Sequence, residues 1–440
     1  MNQLVIAADR IIDQNRIGRR QLVLFIGAIA VLIVDGFDLQ IISYLLPAIA
    51  DEWSIASETK GVVLSAGLTG LMVGYLALPL VAVRIGLRRM VILSLLAMSA
   101  TSFLTLLADS VEHLILLRFL TGLTLGGVFP NMVALSTEYC PERYRASLVS
   151  ISYVGLPLGF LIAGWSAYAV LAHFGWRGAM SIGGMLPLVA VAVVIACIPE
   201  SLEYLVNRAH RGRERARSIL ATMMPGVSIP NDARLVVGGE QSKGATIASL
   251  FTRHVWLGTL ALWIALSTNS VVYYFVLSWM PSILTKIGAS QQNAILAASI
   301  ANIGGIFAAF ITGPLMDHYG AYRVLIAHFI VGTLFTVLVG VLLSPDLVVL
   351  VPAALCLGFC VSGLQKGISA LAVRFYPIDL RAVGIGWMFG IGRLGAIGGP
   401  FLASLLFAAG WAPTAVFNLM AIPLVVGAGA VTVMGYFYMP

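Results

Sequence analysis

The sequence predicts an all-α integral membrane protein of twelve transmembrane helices in two six-helix bundles. Three observations carry that expectation. Of 440 residues, 60% are hydrophobic and only 10% charged, with a mean hydropathy of +0.97, whereas soluble domains carry about 25% charged residues. Apolar runs recur along the whole chain at the length of about 20 residues that crosses a hydrocarbon core of roughly 30 Å. Lys and Arg gather in alternate loops, as they do where basic loops stay on the cytoplasmic side. So apolar a chain is neither a disordered polymer, nor a nucleic-acid-binding domain, nor an ordinary soluble enzyme, and its net charge of +7 is read as loop charge.

The runs fall, in order, at about 21–45, 59–82, 90–108, 112–137, 147–171, 178–198, 254–284, 291–315, 322–343, 347–373, 382–408 and 413–437. Each reads as a helix, because lipid leaves unpaired backbone groups no partner and barrel strands are far shorter. Residues 1–20 are polar and amphipathic, with no removable signal peptide. The expected divisions are a cytoplasmic N-terminal segment at 1–20, a bundle at 21–198, a cytoplasmic linker at 199–253 and a second bundle at 254–440. With the N-terminus placed in the cytoplasm, only Lys60, Arg177 and Lys286 of the 26 Lys and Arg fall outside, while Arg118, Lys366 and Arg393 lie within runs. That asymmetry predicts both termini cytoplasmic. The Arg-rich stretch Asn207–Arg217 admits two readings, an amphipathic helix on anionic headgroups or a solvated linker.

Ionisable residues inside a span are costly and therefore candidates for function. Asp35 and Asp38 are the deeply placed acids, and their i, i+3 spacing puts them on one helical face. Asp35 lies about 14 residues, or ~21 Å, into its run from the basic side. Arg118 lies about 6 residues, or ~9 Å, into run four from the other side. The depths match, so a pairing of Arg118 with Asp35 or Asp38 is possible. It reads either as a proton site or as a permanent ion pair that fixes helix packing. Glu138, at the end of run four, is the next acid assigned to proton movement. Arg393, near the middle of run eleven, is the candidate for binding a carboxylate through its planar fork, or else packs on backbone carbonyls. Lys366 in run ten either snorkels to the cytoplasm or meets substrate. Asn269, Tyr273, Tyr274 and Trp279 of run seven, Gln365 of run ten, and Trp387 and Phe389 of run eleven are candidate lining for a flat ring; Trp279 also fits an interfacial position.

The two halves repeat a loop. Val83-Arg-Ile-Gly-Leu-Arg-Arg89 follows run two, and Gly313-Pro-Leu-Met-Asp-His-Tyr-Gly-Ala-Tyr-Arg323 follows run eight. Paired halves of this kind mark a transporter architecture. Here the chain resembles the major facilitator superfamily. Its first loop departs from that family's pattern, with Val83 in place of the Asp, while the second keeps Gly313, Asp317 and Gly320. Asp35-Gly-Phe-Asp38-Leu-Gln40, the stretch from Arg118 to Tyr139, Pro199-Glu-Ser201 and Leu380–Arg393 narrow the resemblance to the aromatic acid:proton symporter family. The resemblance implies import of a benzoate-, hydroxybenzoate- or phenylpropionate-like carboxylate with protons across a bacterial inner membrane, by alternating access. It implies a cytoplasmic gate in which Asp317, Arg84, Arg381 and Arg323 take part. An importer of another organic anion and a proton-coupled efflux antiporter share the fold. The expected partners are an aromatic carboxylate, protons and a bilayer with anionic headgroups, with no nucleic acid, no cofactor and a monomeric chain. No phosphate-binding loop, metal-ligand spacing or nucleophile–base set stands in the sequence, which argues against an enzyme or an ATP-driven pump.

Overall fold

The computed structural model describes residues 5–152, 154–208, 210–224, 234–236, 247–252, 254–344 and 347–438. In chain order the elements are β1 (Val5–Ala7), α1 (Ala8–Gln14), α2 (Arg19–Trp53), α3 (Ser57–Ile85), α4 (Leu87–Thr105), α5 (Val111–Leu125), α6 (Phe129–Glu138), α7 (Glu142–Ser152), α8 (Gly155–Cys197), α9 (Leu202–Val206), α10 (His210–Met223), β2 (Arg234–Val236), α11 (Trp256–Lys286), α12 (Gln291–Tyr319), α13 (Ala321–Val341), α14 (Leu347–Phe375), α15 (Ile378–Ala408) and α16 (Pro413–Tyr438). Among the described residues, eleven helical stretches are long and apolar enough to cross a membrane. Their flanks expose large apolar side chains such as Leu80, Trp165, Phe310 and Val425, as a surface solvated by lipid does.

Eleven stretches make twelve legs because α8 is two. Its 43 residues would extend about 64 Å if straight, twice the hydrocarbon thickness. At Gly175 the backbone leaves the helix with φ 66° and ψ −176°, a conformation that favours glycine. The first leg runs alongside α2, with Gly155 against Leu32 and Gly159 against Ile33 and Gly36. The second returns antiparallel, with Trp176 bonded to Glu52 and Cys197 beside Gly27. The expected runs five and six are thus confirmed as two legs. Run four is broken: α5 ends before Gly126 and α6 starts with Pro130 in its first turn. Asn131 donates to the Gly127 carbonyl at 2.9 Å across that break, satisfying a backbone group that the interruption frees.

The N-terminal bundle packs α8 on α2 and α4, and α3 on α5; the C-terminal bundle packs α12 on α14, α11 on α15 and α16, and α13 on α14 and α16. Helices α3 and α5 approach so closely that a Cβ at Gly122 would overlap the Gly67 carbonyl, as small residues at a helix–helix contact allow. Glycines also bring α15 close to its neighbours, with Gly384 on Tyr376. Gly392 packs on Leu266, but Gly386 and Gly390 meet nothing within 4 Å, and Gly395 and Gly399 carry the contact with α11 instead.

The start of α2 and the end of α16 lie at one end of the molecule. Gln21, early in α2, donates to the carbonyl of Tyr139 at 2.7 Å, just past α6, and Tyr438 stacks edge-on with Phe375 at the end of α14. The bundles meet toward the opposite end. There Gly61 of α3 abuts Ser404 of α15, Ser65 donates to Ile397, Gln40 donates to Leu277 at 2.9 Å, and Tyr44 bonds Ser299 and Asn302.

The linker corrects the lipid expectation. Helix α10 turns Ala216, Leu220 and Met223 inward, into the apolar cluster that also holds Ile12 and Leu205, so its apolar face is spent on protein while Arg213 and Arg215 stay exposed. Residues 209, 225–233, 237–246 and 253 of the linker lie outside the described residues. The N-terminal segment adds a strand: β1 pairs parallel with β2, Val5 opposite Arg234.

Candidate functional site

The seam between the bundles holds the intramembrane charges. Asp35 and Asp38 sit one turn apart on α2, and both are buried with Arg118 of α5. Arg118 Nη2 stands 3.8 Å from Asp38 Oδ1, and Ser102 of α4 donates to the same oxygen at 3.4 Å. The expected pairing therefore forms with Asp38. Asp35 takes no hydrogen bond at either carboxylate oxygen, and the nearby cation acting on it is Arg393, from the other bundle. A buried carboxylate without a donor is costly as an anion.

Arg393 projects from α15 to the seam. Its Nη1 donates to the Tyr274 hydroxyl at 2.8 Å, and its guanidinium lies over the ring of Tyr75 on α3, 4.7 Å from the centroid. It thus bridges the two halves. The ring of Tyr273 stands edge-on to Tyr274 at 5.2 Å.

Two cavities of about 30 Å3 each open along this seam. One is lined by Asp38, Arg118, Gly122 and Ser43 from the first half and by Tyr274 and Ser278 from the second. The other is lined by Gln40 and Pro157 from the first half and by Tyr273, Asn302, Gly305 and Ser362 from the second. Leu277 is a wall of both. Asn269 donates to Gln365 at 3.0 Å and to the Val361 carbonyl at 3.1 Å, which ties α11 to α14 behind the second cavity.

Other expected residues fall elsewhere. Lys366 does not snorkel: its ammonium donates to the Gly305 carbonyl at 2.6 Å and to Ser362 at 3.0 Å. Trp387 is exposed and leans on Trp263 at 6.4 Å, and it lines neither cavity. Trp279 is buried and donates to the Pro400 carbonyl at 3.0 Å, so it joins α11 to α15 rather than sitting at an interface. Glu138 is at the end where α2 starts and α16 stops, and it accepts from Ser201 at 2.8 Å and from the Leu202 amide at 2.7 Å. It caps α9, and the structure does not bring it to Asp35 and Asp38.

At the same end Asp317 pairs with Arg374, not with Arg323, which is exposed. In the first half, where Val83 replaces an acid, Glu200 supplies the missing carboxylate. It accepts from the Arg88 amide at 2.9 Å, at the start of α4, a favourable place for an anion. The guanidinium of Arg84 is exposed, and its backbone carbonyl accepts from Arg208. Arg381 is helical, but its side chain lies outside the described residues. Sequence reasoning missed Tyr75, Ser102, Asn302 and the Glu200 cap. Gln40 stood within the quoted Asp35–Gln40 motif, five residues beyond Asp35, and that spacing was its only signal.

Comparison with known proteins agrees with this architecture. The family model described as Major Facilitator Superfamily matches residues 28–305 and 262–440. The 4-hydroxybenzoate transporter PcaK of Acinetobacter baylyi is 31% identical over 97% of this chain and 93% of its own length. The gallate transporter of Pseudomonas putida is 30% identical over 97% of this chain and 94% of its own. Among solved structures, a bacterial homologue of the human lysosomal transporter Spinster, in an inward-facing and occupied conformation, superposes with a TM-score of 0.70. It is 13% identical and the match covers 94% of this chain and 97% of that one, which bears on the fold alone.

Proposed function

The chain belongs to the major facilitator superfamily, among its aromatic acid transporters, and from that premise we propose that it imports an aromatic carboxylate together with protons. It is a multi-pass membrane transporter and not an enzyme. One observation carries the finer reading. The Asp38–Arg118 pair and Tyr274, the phenol held by Arg393, line a single cavity on the seam between the halves. Alternating access places cargo at such a seam, near the midplane.

In this reading Arg393 holds the carboxylate, because a guanidinium fork offers two parallel donors to two oxygens. Tyr273 and Tyr274 offer their rings to the aromatic face, and Asn269 and Gln365 hold α11 against α14. Asp35 and Asp38 carry the protons: Asp35 is buried without a donor, and Asp38 exchanges its contact with Arg118 for a proton. A monovalent carboxylate entering a negative-inside cell alone works against about 2.3 kcal/mol per 100 mV. One proton cancels that cost and a second makes uptake electrically favourable. The basic end with both termini faces the cytoplasm of a bacterial inner membrane, and the closed seam at the far end makes this arrangement inward-facing. The Asp317–Arg374 pair latches the second half's loop, with Arg84, Arg323 and Arg381 in the basic surface around that gate. Both sides of the seam come from one chain, so the monomer is the working unit.

The test is binding. Purified protein in detergent should bind 4-hydroxybenzoate and 3-phenylpropionate, read by tryptophan fluorescence. The corresponding amides, of equal shape and without charge, should bind at least ten-fold more weakly. Equal affinity for acids and amides would remove the carboxylate from this reading.

A further inference from the structure

The outer end of the seam, opposite the basic end, carries Lys60, Arg177 and Lys286. Arg177 is spent within the first half, where it donates to Glu52 at 2.8 Å and lies over the ring of Trp176. Lys60 and Lys286 pair with no carboxylate among the described residues. Lys60 is half-buried in the first turn of α3, where the helix dipole disfavours a cation. The next residue, Gly61, packs so tightly on α15 that a Cβ there would overlap Ser404 and come within 3.2 Å of the Pro400 carbonyl. Lys286 ends α11, and its ammonium stands 5.5 Å from the ring centroid of Phe407, one turn beyond Ser404 on α15. One strip of α15 thus meets both the helix of Lys60 and the ammonium of Lys286. The two lysines, one from each half, act on each other across the seam.

The acids at this end do not remove that repulsion. Asp51, near the end of α2, attracts Lys60, but both belong to the first half, so their attraction travels with that half whether the seam is open or shut. Glu52 is held by Arg177 and Trp176. Glu58, Asp109 and Glu112 are exposed, again on the first half. The outer halves of α11, α12 and α15 carry no acid. The repulsion between Lys60 and Lys286 crosses the seam, so it arises on closing and is relieved on opening. Burial of Lys60 beside α15 adds to it, because a cation loses hydration there and like charges repel more strongly where water is scarce.

An importer that has released its cargo inside must reopen outward empty, with no ligand to bias the change. We propose that Lys60 and Lys286 form a like-charge gate whose repulsion drives the emptied carrier back to its outward-open state. This rests on the reading of the chain as an importer with its outer end closed. The two lysines are positioning residues: they touch no cargo and set how readily the outer end opens.

Charge reversal tests the gate. Uptake of labelled 4-hydroxybenzoate into proteoliposomes under an inward proton gradient is measured for wild type, Lys60→Glu, Lys286→Glu and the double variant, and both the maximal rate and the half-saturating concentration are read. Each single reversal turns the repulsion into an attraction that holds the outer end shut. The maximal rate should fall by roughly three- to thirty-fold, the scale of a sign change in an exposed pair. The double reversal sets one carboxylate against another and should return most of the wild-type rate. Lys60→Gln and Lys286→Gln remove the repulsion without adding an attraction, so they should slow uptake by less than the reversals do. Binding of 4-hydroxybenzoate to each purified variant, read by tryptophan fluorescence, shows that it is folded. If the lysines only draw the anionic cargo to the mouth, maximal rates stay unchanged and the half-saturating concentration rises most in the double variant. If their role is merely structural, the double variant is at least as slow as either single. Either result overturns the gate and leaves the importer reading standing. A wild type that accumulates no aromatic acid overturns the importer reading itself.

Discussion

Removing one member of the Asp38–Arg118 pair should cost more than removing both. The charges stand 3.8 Å apart, which at an effective dielectric of ~20 corresponds to about 4 kcal/mol of attraction. Both side chains are almost fully buried, so a lone survivor keeps its desolvation cost with nothing to offset it. Breaking such a pair typically costs about 3–5 kcal/mol, whereas replacing the whole pair is often close to neutral. Asp38→Asn leaves Arg118 uncompensated. Arg118→Gln leaves Asp38 with only the 3.4 Å bond from Ser102. Each single variant should lose roughly 3 kcal/mol, and the double variant distinctly less than the sum, with a coupling of at least about 2 kcal/mol. The assay is unfolding of purified protein in mixed micelles of rising denaturing detergent, followed by tryptophan fluorescence. If the losses add to within roughly 0.5 kcal/mol, the two groups do not interact, and the electrostatic account of this half fails.

Arg393→Lys keeps the charge but loses the fork, so the affinity for 4-hydroxybenzoate should fall by roughly ten-fold or more in the fluorescence titration, and an unchanged affinity would remove Arg393 from the site. Gly122→Ala should lower thermal stability sharply, because its Cβ would meet the Gly67 carbonyl, while Gly386→Ala, with nothing within 4 Å, should not; equal melting temperatures would contradict the close packing of α3 and α5. Asp317→Asn should change stability by less than about 1 kcal/mol, since its pair with Arg374 is exposed, yet slow uptake in cells if the pair latches the gate. A periplasm-dependent reporter fused after Pro440 should be inactive, and activity there would reverse the proposed orientation.

Much of the architecture was legible because lipid imposes it. Apolar run length and loop charge gave twelve legs and two halves without reference to side-chain detail. Asp35, Asp38 and Arg118 were legible for the same reason, since a charge inside a span stands out against its neighbours. What the residue pattern does not carry is which surface covers an apolar face. The Arg-rich stretch Asn207–Arg217 read equally well as a helix on headgroups or as a solvated linker, and neither reading covers the apolar residues Leu220 and Met223 just beyond it, which the structure turns into the cluster that holds Leu24 and Val194. Trp279 read either as lining for a flat ring or, by its place near a run end, as an interface residue, yet its indole reaches the Pro400 carbonyl. Lys366 was placed by depth alone, and depth says nothing of the Gly305 carbonyl that catches its ammonium. Glu138 and Glu200 were the hardest to read, because a helix-capping acid and a proton-carrying acid are the same residue type, distinguished only by whether backbone amides stand in front of them.

Proton-coupled import is tested most directly by accumulation of labelled 4-hydroxybenzoate in proteoliposomes under an imposed pH gradient, acid outside. The account predicts that wild type concentrates the acid, that a protonophore abolishes this, and that raising the outside pH to match the inside leaves only equilibration. Asp35→Asn with Asp38→Asn should lose accumulation while substrate exchange between equilibrated compartments persists, since the anion site is intact and only the proton carriers are gone. Accumulation by that double variant as strong as in the wild type, or net extrusion of substrate by the wild type under the same gradient, would contradict it.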